Sequence, residues 1–133
     1  MNDGSGQQRR ILVIDDEDMM RETIAMMLED DGYEIRGATD GNLGLKMIDS
    51  FQPHVVITDI IMPNKEGIET IMEIRQRWPK LPVIAISGGG RTSNLDFLEL
   101  ATKFGANETL AKPFSVEEIT AAVKRALGIP VAG

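Results

Sequence analysis

Apolar residues along the chain fall into five short runs, and each run is followed by a stretch with helical spacing. Residues 11–14 are apolar without alternation, the pattern of a strand buried on both faces. After the acids of 15–18, Met20, Ile24, Met27 and Leu28 recur at helical spacing. This predicts a helix over 17–30, with Gly32 as its C′ residue and acids at its electropositive start. Residues 33–38 read as a weaker, edge-ward strand. Residues 40–50 read as a second helix with Leu43, Met47 and Ile48 inward, although Gly44 in its middle disfavours it. Pro53 breaks that helix, and Val55, Val56 and Ile57 start a buried strand that ends at Asp59.

The pattern continues with a helix over 67–78, facing Ile68, Ile71, Ile74 and Trp78 inward, until Pro79. Residues 82–87 form a fourth strand, ending at Ser87 before three glycines. A fourth helix is predicted over 93–104, with Ser93 as N-cap and Gly105 as stop. Residues 108–111 form a short fifth strand. Ser115 and Glu118 make a capping box for the last helix. Its apolar stripe is Val116, Ile119, Val123, Ala126 and Leu127, and Gly128 ends it. Strands alternating with helices imply a parallel sheet covered on both faces, with right-handed crossovers.

Composition narrows the class. The 133 residues suit one domain, 42% hydrophobic and 26% charged, as in ordinary globular chains. The expected boundaries are a disordered lead over 1–9, the domain over 10–127 and a tail over 128–133. No apolar run approaches the roughly 18 residues of a membrane span, and the polar N-terminus is no secretory signal. The absence of cysteine removes disulfides and thiolate metal sites and suits a cytoplasmic location. A net charge of −7 argues against nucleic acid as a partner. His54 opens a strand and has no second histidine to ligate with, so it reads as structural.

The chemistry sits at the strand ends. Strand one runs into Asp15 and Asp16, strand three ends in Asp59, strand four in Ser87 and strand five meets Lys112. In a parallel sheet these ends share one edge, where ligands bind in open α/β folds. Any single acid there could merely cap a helix or solvate a loop; the set, with complementary charges, is poorly explained that way. Clustered carboxylates need a cation, and oxygen ligands point to a hard one such as Mg²⁺. A carboxylate beside such a metal can act as a nucleophile toward phosphorus. Mg²⁺, Lys112 and the Ser87 hydroxyl could then stabilise the phosphoryl group.

The segments ILVIDDEDMMR, VVITDIIMPNKEG, PVIAISG and LAKPF, in this order and spacing, resemble the response-regulator receiver domain of two-component signalling over about residues 10–127. The chain resembles the single-domain, chemotaxis-regulator-like type of receiver. The resemblance implies a flavodoxin-like (βα)5 fold with strand order 2-1-3-4-5. It implies Asp59 as phosphoacceptor, Asp16 as direct Mg²⁺ ligand, Asp15 acting through water and the Ile61 carbonyl as a further ligand. Ser87 matches the switch hydroxyl and Lys112 the family's lysine, with a cis peptide before Pro113. The implied partners are a histidine kinase or histidine phosphotransfer protein and a downstream protein target, with no membrane. A chain ending soon after its last helix would act by docking or by onward phosphorelay, not as an enzyme on other molecules.

Two departures from the family pattern bear on switching. The position three before the lysine, usually aromatic, is Thr109, so output is expected through the loop after Ser87, where Arg91 lies, and the fourth helix. Ile61 and Gly89 occupy the positions flanking the hydrolytic water, and neither can orient it, which implies slow autodephosphorylation. The alternatives are a Mg²⁺-dependent phosphohydrolase with Asp59 as nucleophile, and an interaction module that is never phosphorylated. The hydrolase would want a general acid where Ile61 stands, and the interaction module would have lost an acid or the lysine.

Overall fold

The continuous apolar runs form the centre of the sheet, where a strand must be apolar on both faces. The computed structural model describes residues 8–60, 67–87 and 94–131. In chain order they form β1 (Arg10–Ile14), α1 (Asp18–Glu29), β2 (Glu34–Ala38), α2 (Gly41–Phe51), β3 (Val55–Asp59), α3 (Gly67–Arg77), β4 (Val83–Ser87), α4 (Asn94–Lys103), β5 (Glu108–Ala111) and α5 (Val116–Leu127). All strand pairs are parallel, in the order β2-β1-β3-β4-β5, the flavodoxin-like order that the resemblance implied.

Alternate residues of the central strands feed two separate cores. Leu12, Ile14 and Val56 pack with Leu45, Ile48 and Ile71 of α2 and α3. Ile11, Val13 and Ile57 pack with Ile24, Leu28 and Ile119 of α1 and α5. Each such side chain contributes about 1.5–3 kcal/mol relative to exposure, so both faces of the sheet hold the strands in register. That register sets the functional edge. Ile14 lies beside Thr58, Asp59 beside Ile86 and Ser87 beside Ala111. The strands therefore end nearly level, and the residues that follow them emerge together.

Two expectations need correction. Leu43 is exposed, and the inward stripe of α2 runs through Gly44, Leu45, Ile48 and Phe51. A Cβ on Gly44 would collide with the buried Ile14 side chain. The centre of the stripe is thus a glycine, which carries no hydrophobic signal and lets α2 approach the sheet. Val116 is also exposed. Phe114, just before the N-cap Ser115, packs on the α1/α5 layer with Ile119 instead, as in a hydrophobic staple. Hydrogen bonds also reach the two residues before β1. The Glu34 N–H donates to the Arg9 carbonyl, and the Gln8 side chain donates to the Gly32 carbonyl. The capping box at Ser115 and Glu118 is present as predicted.

Gly67 locks the start of α3 to the end of β3. Its N–H donates to the Ile60 carbonyl at 2.6 Å. An added Cβ would overlap backbone atoms of Asp59 and Ile60, which cannot rotate away as a side chain could. Gly67→Ala is expected to destabilise the fold by about 3 kcal/mol, far beyond the ~1 kcal/mol gained in helix propensity. Urea denaturation measures this, and an unchanged midpoint would contradict the packing account.

His54 has the structural role expected of it. Its Nδ1 accepts from the Arg10 N–H at 2.9 Å, while its own N–H donates to the Arg10 carbonyl at 2.7 Å. Burial lowers its pKa from the ordinary 6.5, and the charges of Arg10 and Arg9 lower it further. The folded chain therefore binds fewer protons than the unfolded one just below pH 6.5. The stability this contributes is complete above that value and is lost as pH falls through the folded pKa. His54→Asn keeps an acceptor without titrating, so the wild type should lose stability relative to this variant as pH drops below 6.5. Parallel urea curves for the two proteins would show otherwise.

Candidate functional site

Asp15 follows β1 directly and is fully buried. Every polar atom it presents is engaged. Its N–H donates to the Ala38 carbonyl at 3.0 Å, Oδ1 accepts from the Glu17 N–H at 2.9 Å, and its carbonyl accepts from Arg21 Nη1 at 2.7 Å. Its Oδ2 lies 3.4 Å from Lys112 Nζ. Asp16, the next residue, is exposed. Asp59 closes β3 and is only 6% exposed. Its Oδ2 also lies 3.4 Å from Lys112 Nζ, and its carbonyl accepts from the buried Thr58 hydroxyl at 3.0 Å.

Asp15, Asp16 and Asp59 each offer a carboxylate oxygen, and these oxygens lie within 4.8 Å of one another. Lys112 supplies one positive charge against three negative ones, so the group carries excess negative charge in a partly dry setting. At such separations the repulsion is substantial when water is excluded. Oxygen donors only, with a charge excess and an exposed member, fit a hard divalent cation such as Mg²⁺, which binds through one or two carboxylates and retains water. Asp16 faces solvent and is open to direct ligation. Asp15 is tied on all sides, which suits a role through water.

Ser87 ends β4, one strand across from Asp59, and is fully buried. Among the described residues its Oγ has no hydrogen-bond partner. A buried hydroxyl without a partner carries a desolvation penalty of about 1–3 kcal/mol, which an incoming acceptor would relieve. The Lys112 N–H donates to the Ser87 carbonyl at 2.9 Å. Backbone at these two positions is therefore coupled. The Lys112–Pro113 peptide is cis, as the resemblance implied.

The structure thus brings Asp15, Asp16, Asp59, Ser87 and Lys112 to one edge of the sheet. Thr109 lies mid-strand in β5 beside Ala85, away from that edge. Ile61, Gly89, Arg91 and the Ser93 cap lie outside the described residues. Sequence reasoning missed Thr58 and Arg21. Thr58 is concealed within an apolar run, and Arg21 reads as one more polar residue on an exposed helix face. Among the described residues no helix is long and apolar enough to cross a membrane.

Comparison with known proteins agrees with this geometry. NtrX from Brucella abortus is 34% identical over 92% of this chain, with a TM-score of 0.84, and this chain spans 27% of that longer protein. The isolated receiver domain of NtrX is 34% identical, with 90% of this chain and 99% of that one covered and a TM-score of 0.83. A response regulator receiver domain protein from Clostridium thermocellum is 36% identical, with coverage of 90% and 94% and a TM-score of 0.83. The sequence pattern of the response regulator receiver domain matches residues 11–124, and the chain accordingly belongs to that family of signalling domains, the phosphoacceptor side of two-component systems.

Proposed function

We propose that Asp59 is the phosphoacceptor of a signalling switch, charged by a phosphohistidine on a histidine kinase or phosphotransfer protein. The observation that carries this reading is the convergence of three carboxylates within 4.8 Å, with the ammonium of Lys112 3.4 Å from two of them. Asp16, Asp59 and the carbonyl of Ile61 would hold Mg²⁺, with Asp15 acting through water. The bound ion would supply positive charge against the carboxylates and the phosphoryl oxygens.

The rest is the work of the chain. An Asp59 carboxylate oxygen attacks phosphorus in line, the P–N bond to the donor imidazole breaks, and an acyl phosphate forms. Lys112 lies between Asp15 and Asp59, so it can follow the negative charge as it moves from carboxylate to phosphoryl oxygen. The Ser87 hydroxyl donates to a phosphoryl oxygen, which gives it the partner it lacks. This preference for the phosphorylated state biases the two-state switch. The hydrogen bond between Lys112 and the Ser87 carbonyl passes the change to β5 and α5. Output runs through the α4–β5–α5 face, with Thr109 in place of a rotating aromatic, toward a protein target. Ile61 and Gly89 stand at the sequence positions that the resemblance sets beside the hydrolytic water, and neither side chain can hydrogen-bond to it, so the phosphate persists.

Incubation with Mg²⁺ and a small-molecule phosphodonor should add one alkali-labile phosphate, as read by intact mass. Asp59→Asn and excess chelator should each abolish it, and Lys112→Ala should slow it on the order of 100-fold. The phosphorylated protein should decay over minutes or longer. Decay within seconds would contradict the assignment at Ile61 and Gly89. Sustained turnover of a phosphomonoester would point to a phosphohydrolase instead, and labelling that survives Asp59→Asn would sink the phosphoacceptor role.

A further inference from the structure

Outside the carboxylate cluster, the arrangement that stands out is a side chain stretched between the acidic loop and the edge strand. Arg21 lies in the first turns of α1, and its side chain is only 19% exposed. Nη1 donates to the Asp15 carbonyl at 2.7 Å, and Nη2 pairs with Asp18. The stem passes over Gly37 of β2. A Cβ built on Gly37 would lie 2.9 Å from Arg21 Cδ and 3.2 Å from Nε. Glycine at 37 is thus what leaves room for the guanidinium to reach Asp15.

The contact reaches the site through covalent geometry. The Asp15 carbonyl belongs to the planar peptide that joins Asp15 to Asp16. Fixing that oxygen fixes the plane, and with it the position of the Asp16 Cα and the N–Cα axis about which its carboxylate turns. The other end of Asp15 is held by the Ala38 carbonyl at 3.0 Å. Strand β2 therefore grips the acidic pair twice, directly at Ala38 and through Arg21 lying across Gly37.

We propose that Arg21 is a positioning residue for the cation site, and that Gly37 is the space that lets it act. The proposal rests on reading Asp16 and Asp59 as Mg²⁺ ligands. It has a distinctive sign. The charge of Arg21 taken alone opposes cation binding, so its removal would tighten Mg²⁺ if only through-space electrostatics counted. Positioning predicts the reverse.

The test is a Mg²⁺ titration of the full chain, followed by the amide NMR shifts of Asp16 and Asp59, with urea stability measured alongside. Arg21→Met should weaken Mg²⁺ binding by about 10-fold, the lower end of what outer-shell partners of metal ligands contribute. Gly37→Val should weaken it several-fold while holding or raising stability, since valine suits a strand better than glycine. The double variant should bind no more weakly than Arg21→Met alone, because both changes remove one contact. Unchanged or tighter binding in Arg21→Met would overturn the proposal, as would unchanged binding in Gly37→Val or additive losses in the double variant. A wild type that fails to bind Mg²⁺ while Asp59 still accepts phosphate would overturn the ligand assignment, and this inference with it. A wild type that binds Mg²⁺ but is never phosphorylated would count against the phosphoacceptor reading and leave the variant comparison decisive for Arg21.

Discussion

Three carboxylates that repel one another are held at a single point on the sheet edge, and the surrounding structure is arranged to keep them there. Asp15 and Asp59 are almost wholly removed from solvent. Lys112, reaching from the end of β5, is the one cation among the described residues that sits between them. A lone ammonium cannot neutralise three acids, and this residual charge suits the site to a further cation.

The scaffold supplies rigidity where the charges would otherwise spread. Parallel pairing ends the strands level, so no acid can retreat along the chain without breaking register. Gly67 brings the start of α3 against the backbone of Asp59 and Ile60. Asp15 is hydrogen-bonded through its amide, its carbonyl and its carboxylate. Ser87 alone is left unsatisfied among the described residues. A rigid acidic edge with one unpartnered donor next to it can respond to an anion without rebuilding the core.

Much of this was legible in the sequence, for physical reasons. Strands buried on both faces must be apolar throughout, so β1, β3 and β4 stood out, and the polar residues that ended them marked the edge. The capping box of α5 was equally plain. The rest depends on tertiary approach, which leaves no local pattern in the sequence. Gly44 sits at the centre of the α2 stripe because the helix must approach Ile14, and Leu43 beside it only looked inward. Phe114, not Val116, fills the apolar place at the start of α5. Arg21 and Gly37 lie far apart in sequence and meet only once β2 pairs with β1.

On the proposed reading, Asp59 senses a phosphoryl group and the change travels out through Ser87 and Lys112. Beryllofluoride with Mg²⁺ mimics the acyl phosphate without chemistry, and amide NMR shifts follow the response residue by residue. Shifts are expected at Asp59, Ser87 and Lys112, extending along β5 into α5. Shifts confined to Asp15, Asp16 and Asp59 would contradict it.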